Sequence, residues 1–261
     1  MKKNVFMTVV LLSIFCYANA QIEEKMEKEG VQKCTIFKDG QEIEGYMTKK
    51  GFESGAFIGQ NAPAPWQFQG DIKFIPKDVF ENTEKIKGNM YKKYSAKDIS
   101  GYSYEGNYYE AVKYADMTGV SLSMFPKWMF MKRVIDGPIS AFFYYDSPGP
   151  IVIGKDENDI KDIYRDCAQE MIVYRKGKDG KLKAITRGIT GGVNIDKDLE
   201  DCPLVKAKLE NKEYDVDVTE GSVLEGSKLG ALANKLYKHS DEGVGASRLA
   251  AIKDYNTNCA N

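Results

Sequence analysis

Short runs of alternating apolar and polar residues, separated by glycine turns, fill the first two thirds of the chain. Such alternation is typical of β-strands with one face in a core. Asp39-Gly40 separates two of these runs, and glycine accepts the positive φ that a tight hairpin turn requires. Further hairpins are predicted around Glu105-Gly106-Asn107, Asp136-Gly137-Pro138 and Lys178-Asp179-Gly180. We therefore expect residues 31–192 to form an antiparallel β-rich region.

The apolar spacing becomes helical after about residue 192. Asp201-Cys202-Pro203 begins a helix pattern, with proline in the first turn, where its missing N–H costs nothing. Segments 227–239 and 247–259 each carry an apolar stripe, and these stripes are predicted to cover one face or end of the sheet. The first stripe consists of Leu229, Leu232, Ala233, Leu236 and Tyr237. The predicted fold class is α+β, with 193–261 as the helical C-terminal portion of the same domain.

The first twenty residues predict a secretory signal peptide. Lys2 and Lys3 precede an apolar run over 5–17, and Ala18-Asn19-Ala20 forms an A-x-A cleavage site. A membrane anchor is the alternative, but the run is short for a bilayer span. The charged lead-in at 21–30 fits either a frayed helix or a tether. We expect an exported protein, periplasmic or secreted, that partners can hold at a surface.

The amino-acid composition limits the classes of partner that we expect. The chain has 261 residues, with 37 basic and 38 acidic side chains, and 43% of its residues are hydrophobic. Loss of the leader would remove two lysines and change the formal charge from −1 to −3. Nucleic-acid binding normally requires a basic excess, so we predict no such partner. The absence of a second long apolar run predicts no transmembrane span after signal removal.

Motifs for the common catalytic and cofactor sites are missing. His239 is the only histidine, so histidine-based triads and zinc sites lack ligands, and the sequence has no C-x-x-C. The glycine-rich run 187–192 lacks the Gly-Lys-Ser/Thr ending of a phosphate loop. Ile160 and Lys161 break a calcium-like pattern at 156–162. We predict no metal and no cofactor. Paired carboxylates leave no local motif, so an envelope glycan hydrolase using such a pair stays open.

Four cysteines follow the predicted leader: Cys34, Cys167, Cys202 and Cys259. They allow three pairings. Cys202 and Cys259 each lie on the apolar stripe of a predicted helix, which favours a disulfide between them. Pairing of either one with Cys34 or Cys167, or four free thiols, are the alternatives.

Aromatic residues are dense in the predicted hairpins. In an exported protein, exposed rings can stack on sugars or peptides, and Trp66, Tyr108 and Trp128 are the candidate binding residues. The alternative is that these rings are buried or form cross-strand pairs. The basic hairpin tip at 175–183 is interpreted as a solubilising, edge-protecting feature, and contact with an anionic envelope component is the alternative. The leading function is therefore non-catalytic binding of an envelope protein or a glycan, with both ligand and partner unknown.

Several short segments occur in a familiar order along the chain: 38–45 (KDGQEIEG), 94–102 (YSAKDISGY), 130–140 (FMKRVIDGPIS), 201–203 (DCP) and 255–259 (YNTNC). Together they resemble a broad family of uncharacterised exported proteins from Bacteroidota. Gln41 and Glu42 depart from the turn continuation expected in that family, and 51–70 has no counterpart. The resemblance implies export and a similar global fold. It implies no activity and no catalytic residues.

Overall fold

The chain folds into two compact units. The computed structural model describes residues 20–51, 62–115, 125–148, 155–185, 194–215, 226–239 and 241–259. Unit 1 comprises the chain up to Val112 together with Trp128–Phe130. Unit 2 comprises Lys113–Lys127 and Met131–Asn261. Each unit is described by itself below.

Ten strands and seven α-helices lie within the described ranges, with most helices in the C-terminal part. The strands are β1 (Val31–Lys38), β2 (Gln41–Thr48), β3 (Ile72–Pro76), β4 (Lys92–Tyr94), β5 (Gly101–Tyr104), β6 (Asn107–Tyr114), β7 (Lys127–Ile135), β8 (Ile139–Tyr144), β9 (Met171–Lys176) and β10 (Lys183–Ala184). The helices are α1 (residues 20–29), α2 (Lys77–Asn82), α3 (Glu157–Cys167), α4 (Asp196–Leu199), α5 (Pro203–Glu210), α6 (Lys228–His239) and α7 (Asp241–Asn258). The predicted α+β fold class is confirmed.

Two-residue turns fix the register of both predicted hairpins in unit 1. Asp39 and Gly40 have φ values of 53° and 75°, and Glu105 and Gly106 have 48° and 74°. Positive φ at both turn positions is the type I′ geometry, which matches the twist of the flanking strands. Val31 consequently pairs with Thr48 at the far end of the first hairpin.

The unit 1 sheet has the strand order β4-β3-β2-β1-β5-β6. Alternate residues of neighbouring strands point to the same side of the sheet. The first face, defined by Ile36, Phe74 and Tyr102, carries the larger core. All three side chains are fully buried there. Gly45 of β2 lies against β3, and an added Cβ at this position would stand 2.3 Å from the Ile75 carbonyl oxygen.

Two helices cover part of the second face of that sheet. Tyr46 and Ile75 point to this face and pack with Phe80 of α2. Lys25 of α1 donates hydrogen bonds to the carbonyl oxygens of Phe80 and Thr83. The charged lead-in is thus helical where it is described, and Met26 buries its side chain in this second core.

In unit 2, β8 pairs with β7 on one side and β9 on the other, and β10 follows β9. The helices pack on this sheet through a core that includes Ile139, Tyr174, Leu199, Val205 and Ile252. Asp156 caps α3 by accepting hydrogen bonds from the Asn158 and Asp159 backbone N–H groups. The calcium-like pattern at 156–162 is thus the capped start of a helix.

Asn256 of α7 binds the turn between β7 and β8. Its side-chain oxygen accepts a hydrogen bond from the Ile139 N–H at 3.0 Å, and its side-chain nitrogen donates to the Ile139 carbonyl at 2.8 Å. The turn residue Gly137 has a φ of 146°, and a Cβ there would lie 2.5 Å from the Asn256 amide nitrogen. Glycine is therefore required by both backbone conformation and space.

The predicted burial of the first helical stripe is wrong for its leucines. Leu229, Leu232 and Leu236 of α6 are 61%, 53% and 66% exposed. Helical spacing shows that apolar residues share a side of a helix, but it does not specify what covers them. The second stripe is buried as predicted, with Ile252 and Tyr255 in the core, and α7 begins at Asp241, six residues earlier than the pattern indicated.

Across the described ranges, none of the helices combines the length and apolarity needed to cross a membrane.

Candidate functional site

The three aromatic residues singled out from the sequence have different environments in unit 1. Trp66 lies in a short 3-10 helix (Pro65–Gln69) and is only 8% exposed. Tyr108 is half-buried on β6. Trp128, near the start of β7, is 46% exposed. Trp128 is thus the most accessible of the three.

Tyr108 lies on the second face of the unit 1 sheet, against Phe37. The two rings meet edge to face with centroids 5.1 Å apart. Gly101 makes this contact possible, since a Cβ there would stand 2.7 Å from the Tyr108 hydroxyl oxygen. A ring laid across a strand glycine in this way covers bare backbone, so Tyr108 has a clear structural role.

Trp128 points to the first face. Phe130, two residues further along β7, packs against Tyr102 with ring centroids 5.0 Å apart, and residues two apart in a strand share a face. Tyr108 and Trp128 therefore lie on opposite faces and do not form one binding surface.

The first face also contains a stack of rings. Phe68 stacks on Tyr104 and Tyr109 with centroids 5.6 Å apart in each pair, and Tyr102 stacks on Tyr109 at 4.7 Å. The Tyr102 hydroxyl donates to the Phe68 carbonyl at 2.6 Å. Burial raises the pKa of Tyr109 to about 12. This aromatic density belongs to the core, as the structural alternative anticipated.

Unit 2 holds a network of carboxylates, lysines and tyrosines between β9, β10 and the helices. Asp198 accepts hydrogen bonds from Tyr174 and Lys183, both at 2.8 Å. Asp201 accepts from Lys176 at 2.6 Å and from Tyr255 at 3.1 Å. Two lysines of the basic hairpin tip therefore hold α4 and the start of α5 to the sheet, a role that the sequence pattern did not reveal.

Ionised carboxylates are favoured throughout this network. Burial opposes the charge on Asp198, but hydrogen bonds from Lys183 and Tyr174 outweigh it and lower the pKa. The hydrogen bond from Lys176 is the main reason that the pKa of Asp201 is lowered. Proton donation by either group is therefore disfavoured near neutral pH, and their chemistry is that of structural anions.

Two further acidic residues fix the helices of unit 2. Asp196 receives two hydrogen bonds from the Arg248 guanidinium, at 2.7 and 2.9 Å. Asp254 accepts from Lys208 at 2.7 Å and from Tyr214 at 2.6 Å, and the Lys208 contact is the main cause of its lowered pKa.

Every described carboxyl group whose pKa is clearly displaced is displaced downward. These groups are Glu27, Glu44, Asp98, Glu157, Asp198, Asp201 and Asp254. A glycan hydrolase with two carboxylates needs a general acid whose pKa is raised. Within the same ranges, no group of three or more histidine, cysteine or acidic residues is arranged to hold a metal ion.

Cys202 and Cys259 stand at disulfide-bonding distance, with Cα atoms 5.7 Å apart. That separation can be bridged without backbone movement, so the geometric condition for the predicted pair is confirmed. Cys34 and Cys167 are free. Burial raises the pKa of Cys34 to about 12 and of Cys167 to about 11, so neither thiol is activated as a nucleophile.

Some sequence features lie outside the described residues. They are the predicted signal peptide up to residue 19, the whole glycine-rich run at 187–192, and the side chains of Tyr237 and His239.

Comparison with protein-family models, with curated proteins and with solved structures found no match for this chain. The resemblance to exported proteins of Bacteroidota stays a prediction.

Proposed function

We propose that this protein is an exported, non-catalytic binding protein of the envelope or the secreted fraction, and that it recognises a glycan through Trp128. The exposed indole of Trp128 carries the proposal. A large ring with an accessible face can stack on the apolar face of a sugar, and its N–H can donate a hydrogen bond.

The described ionisable groups support binding rather than hydrolysis. The clustered aspartates of unit 2 are engaged by lysine, arginine or tyrosine and connect helices to strands. The lowered pKa values of Asp198, Asp201 and Asp254 favour the permanently ionised carboxylates. Export, inferred from the leader pattern, would place an aromatic surface of this kind in contact with envelope or extracellular polysaccharides.

The two tryptophans allow a direct test. The probes are purified peptidoglycan sacculi in a sedimentation assay and a panel of soluble polysaccharides in titrations. With Trp66→Phe, the remaining indole is the exposed Trp128, so we expect ready quenching by acrylamide and protection from quenching when glycan binds. Trp128→Ala should lower glycan affinity at least tenfold, and Trp128→Phe should retain part of it because a ring remains.

Tyr108→Phe is the matched control, since it keeps the packing on Phe37 and lies on the other face. Equal binding by wild type and Trp128→Ala, or no binding to any glycan, would contradict the proposal. Release of reducing ends from the same polysaccharides would instead support the hydrolase alternative.

A further inference from the structure

Helix α6 exposes a leucine stripe at its surface. Leu229, Leu232 and Leu236 recur at i, i+3 and i+7, so they form one line along a helix of 12 residues. Each leucine is more than half exposed. Gly230 is buried and lies on another side of the helix, so α6 contacts the rest of unit 2 with a different face.

Lysines border the same stripe. Lys228 precedes Leu232 by four residues and Lys235 follows it by three, so both are neighbours of Leu232 on the helix surface, and both are exposed. The helix sequence from 228 to 239 includes a third lysine, Lys238, and no acidic residue. Acidic residues resume at Asp241, the first residue of α7.

An apolar stripe bordered by cations fits the interface of an anionic lipid bilayer. Leucine side chains enter the boundary between headgroups and acyl chains, while lysines extend toward lipid phosphates. Twelve helical residues span about 18 Å, less than the roughly 30 Å of a bilayer's hydrocarbon core, so such a helix would lie along the surface.

Charge argues against a second copy as the occupant. Two α6 stripes packed antiparallel would place the lysine-bearing edges of both copies side by side, which is unfavourable. Lipid phosphates have the opposite charge and offer it over the whole surface. We propose that α6 is a reversible membrane-surface anchor selective for anionic lipids. This inference involves unit 2 alone and does not depend on glycan recognition by Trp128.

Vesicle flotation tests the anchor. The protein is purified from cells without truncation, and intact mass spectrometry identifies its N terminus. It is then mixed with vesicles that contain phosphatidylglycerol or with vesicles of pure phosphatidylcholine. We expect binding to the anionic vesicles, weakened by salt, and at least tenfold weaker binding to phosphatidylcholine.

Variants separate the apolar and ionic contributions. Each Leu→Gln change in the stripe should lower vesicle affinity about tenfold, and the triple variant should abolish flotation. Lys228→Gln with Lys235→Gln should lower affinity about tenfold and flatten the salt dependence. Ala231→Gln is the control for the leucines, because Ala231 is an exposed residue of α6 that does not belong to the stripe. Lys197→Gln with Lys206→Gln is the control for the lysines, because both are exposed lysines outside α6.

Circular dichroism and thermal unfolding should show that each variant folds, since all altered side chains are exposed. Absence of flotation by the wild type, or equal flotation by the triple leucine variant, would overturn the anchor. So would a dimer that the leucine changes convert to monomer without any vesicle binding, which would identify a second copy as the occupant. Stripe-dependent capture of a protein in the absence of lipid affinity would point to a protein groove instead.

Discussion

Single residues in this protein carry constraints that alternation of apolar and polar positions does not express. Gly45 pairs with Pro76 in the β2–β3 register and lies under the Phe74 ring. Its φ is not in the left-handed region, so space rather than backbone conformation requires glycine. Asp254 is similarly specific, because one carboxylate serves Lys208 and Tyr214 together.

Gly45→Ala should destabilise unit 1. The added Cβ would stand 2.3 Å from the Ile75 carbonyl oxygen and 2.5 Å from the Phe74 ring. Relief of such overpacking requires a backbone shift, which typically costs about 1–3 kcal/mol. Urea unfolding measures the loss. Gly88→Ala is the matched control, because nothing lies within 4 Å of a Cβ there, and a similar loss in both variants would show that the close approach is unimportant.

Asp254→Asn should lower stability at neutral pH and have little effect in acid. The folded-state pKa of Asp254 is lowered from its ordinary value of 3.8, mainly by Lys208. Ionised Asp254 therefore stabilises the fold at any pH above its pKa in the unfolded chain. This contribution is lost as the pH falls through its pKa in the folded protein.

Urea unfolding midpoints measured between pH 6 and pH 2.5 test this pH dependence. The gap between wild type and Asp254→Asn should be largest near pH 6 and should close below about pH 3.8. The exposed Glu210→Gln should show no comparable gap. A gap that grew in acid would contradict the assigned ion pair.

At the scale of elements, hairpins and helices were largely predictable because they depend on local chemistry. Asp39-Gly40 takes the turn conformation that its residue types favour, Gly106 does the same in the second hairpin, and Pro203 begins α5 as expected. The exposure of the α6 leucines was not predictable, since burial depends on which surface another element covers. The lysine-to-aspartate network was hidden for the same reason. Lys176 and Asp201 are distant in sequence, and only the fold brings them together.

The pair Cys202–Cys259 should stabilise unit 2 when oxidised. Closing a loop of 57 residues removes conformational entropy from the unfolded chain, about 4 kcal/mol in the chain-entropy estimate, and native strain reduces this figure. Cys259→Ser, or reduction of the wild type, should therefore lower the urea midpoint substantially.

Cys167→Ser provides the control, because Cys167 is a free and only partly buried thiol. Alkylation under denaturing, non-reducing conditions should modify Cys34 and Cys167 alone among the four cysteines after the predicted leader. Modification of all four would contradict the disulfide, and so would equal destabilisation by Cys167→Ser and Cys259→Ser.

At the scale of the whole molecule, the sequence predicted the α+β class but not a specific ligand. Of its three aromatic candidates, Trp66 is buried and Tyr108 covers a strand, because ring density alone does not separate core from surface. Exposure distinguishes Trp128. The two compact units likewise follow from tertiary contacts that a linear pattern does not encode.

Export predicts a specific mass. The A-x-A site predicts cleavage after Ala20, so the exported protein should begin at Gln21. Intact mass spectrometry of the periplasmic and secreted fractions measures this directly. Recovery of the uncleaved chain in those fractions would contradict the predicted cleavage, and recovery solely from the cytoplasm would contradict export.

Asn256 has a consequence for the order in which unit 2 matures. Its partner Ile139 precedes it by 117 residues, and Cys259, which stands beside Cys202, follows only three residues later. The hairpin of β7 and β8 therefore leaves the ribosome long before Asn256, whose side-chain amide binds the backbone of Ile139 at the hairpin turn. A nascent chain would lack both hydrogen bonds to Ile139 until α7 has been synthesised. Contacts over such long sequence separations form slowly, so we expect unit 2 to complete its fold well after the β7–β8 hairpin has been synthesised.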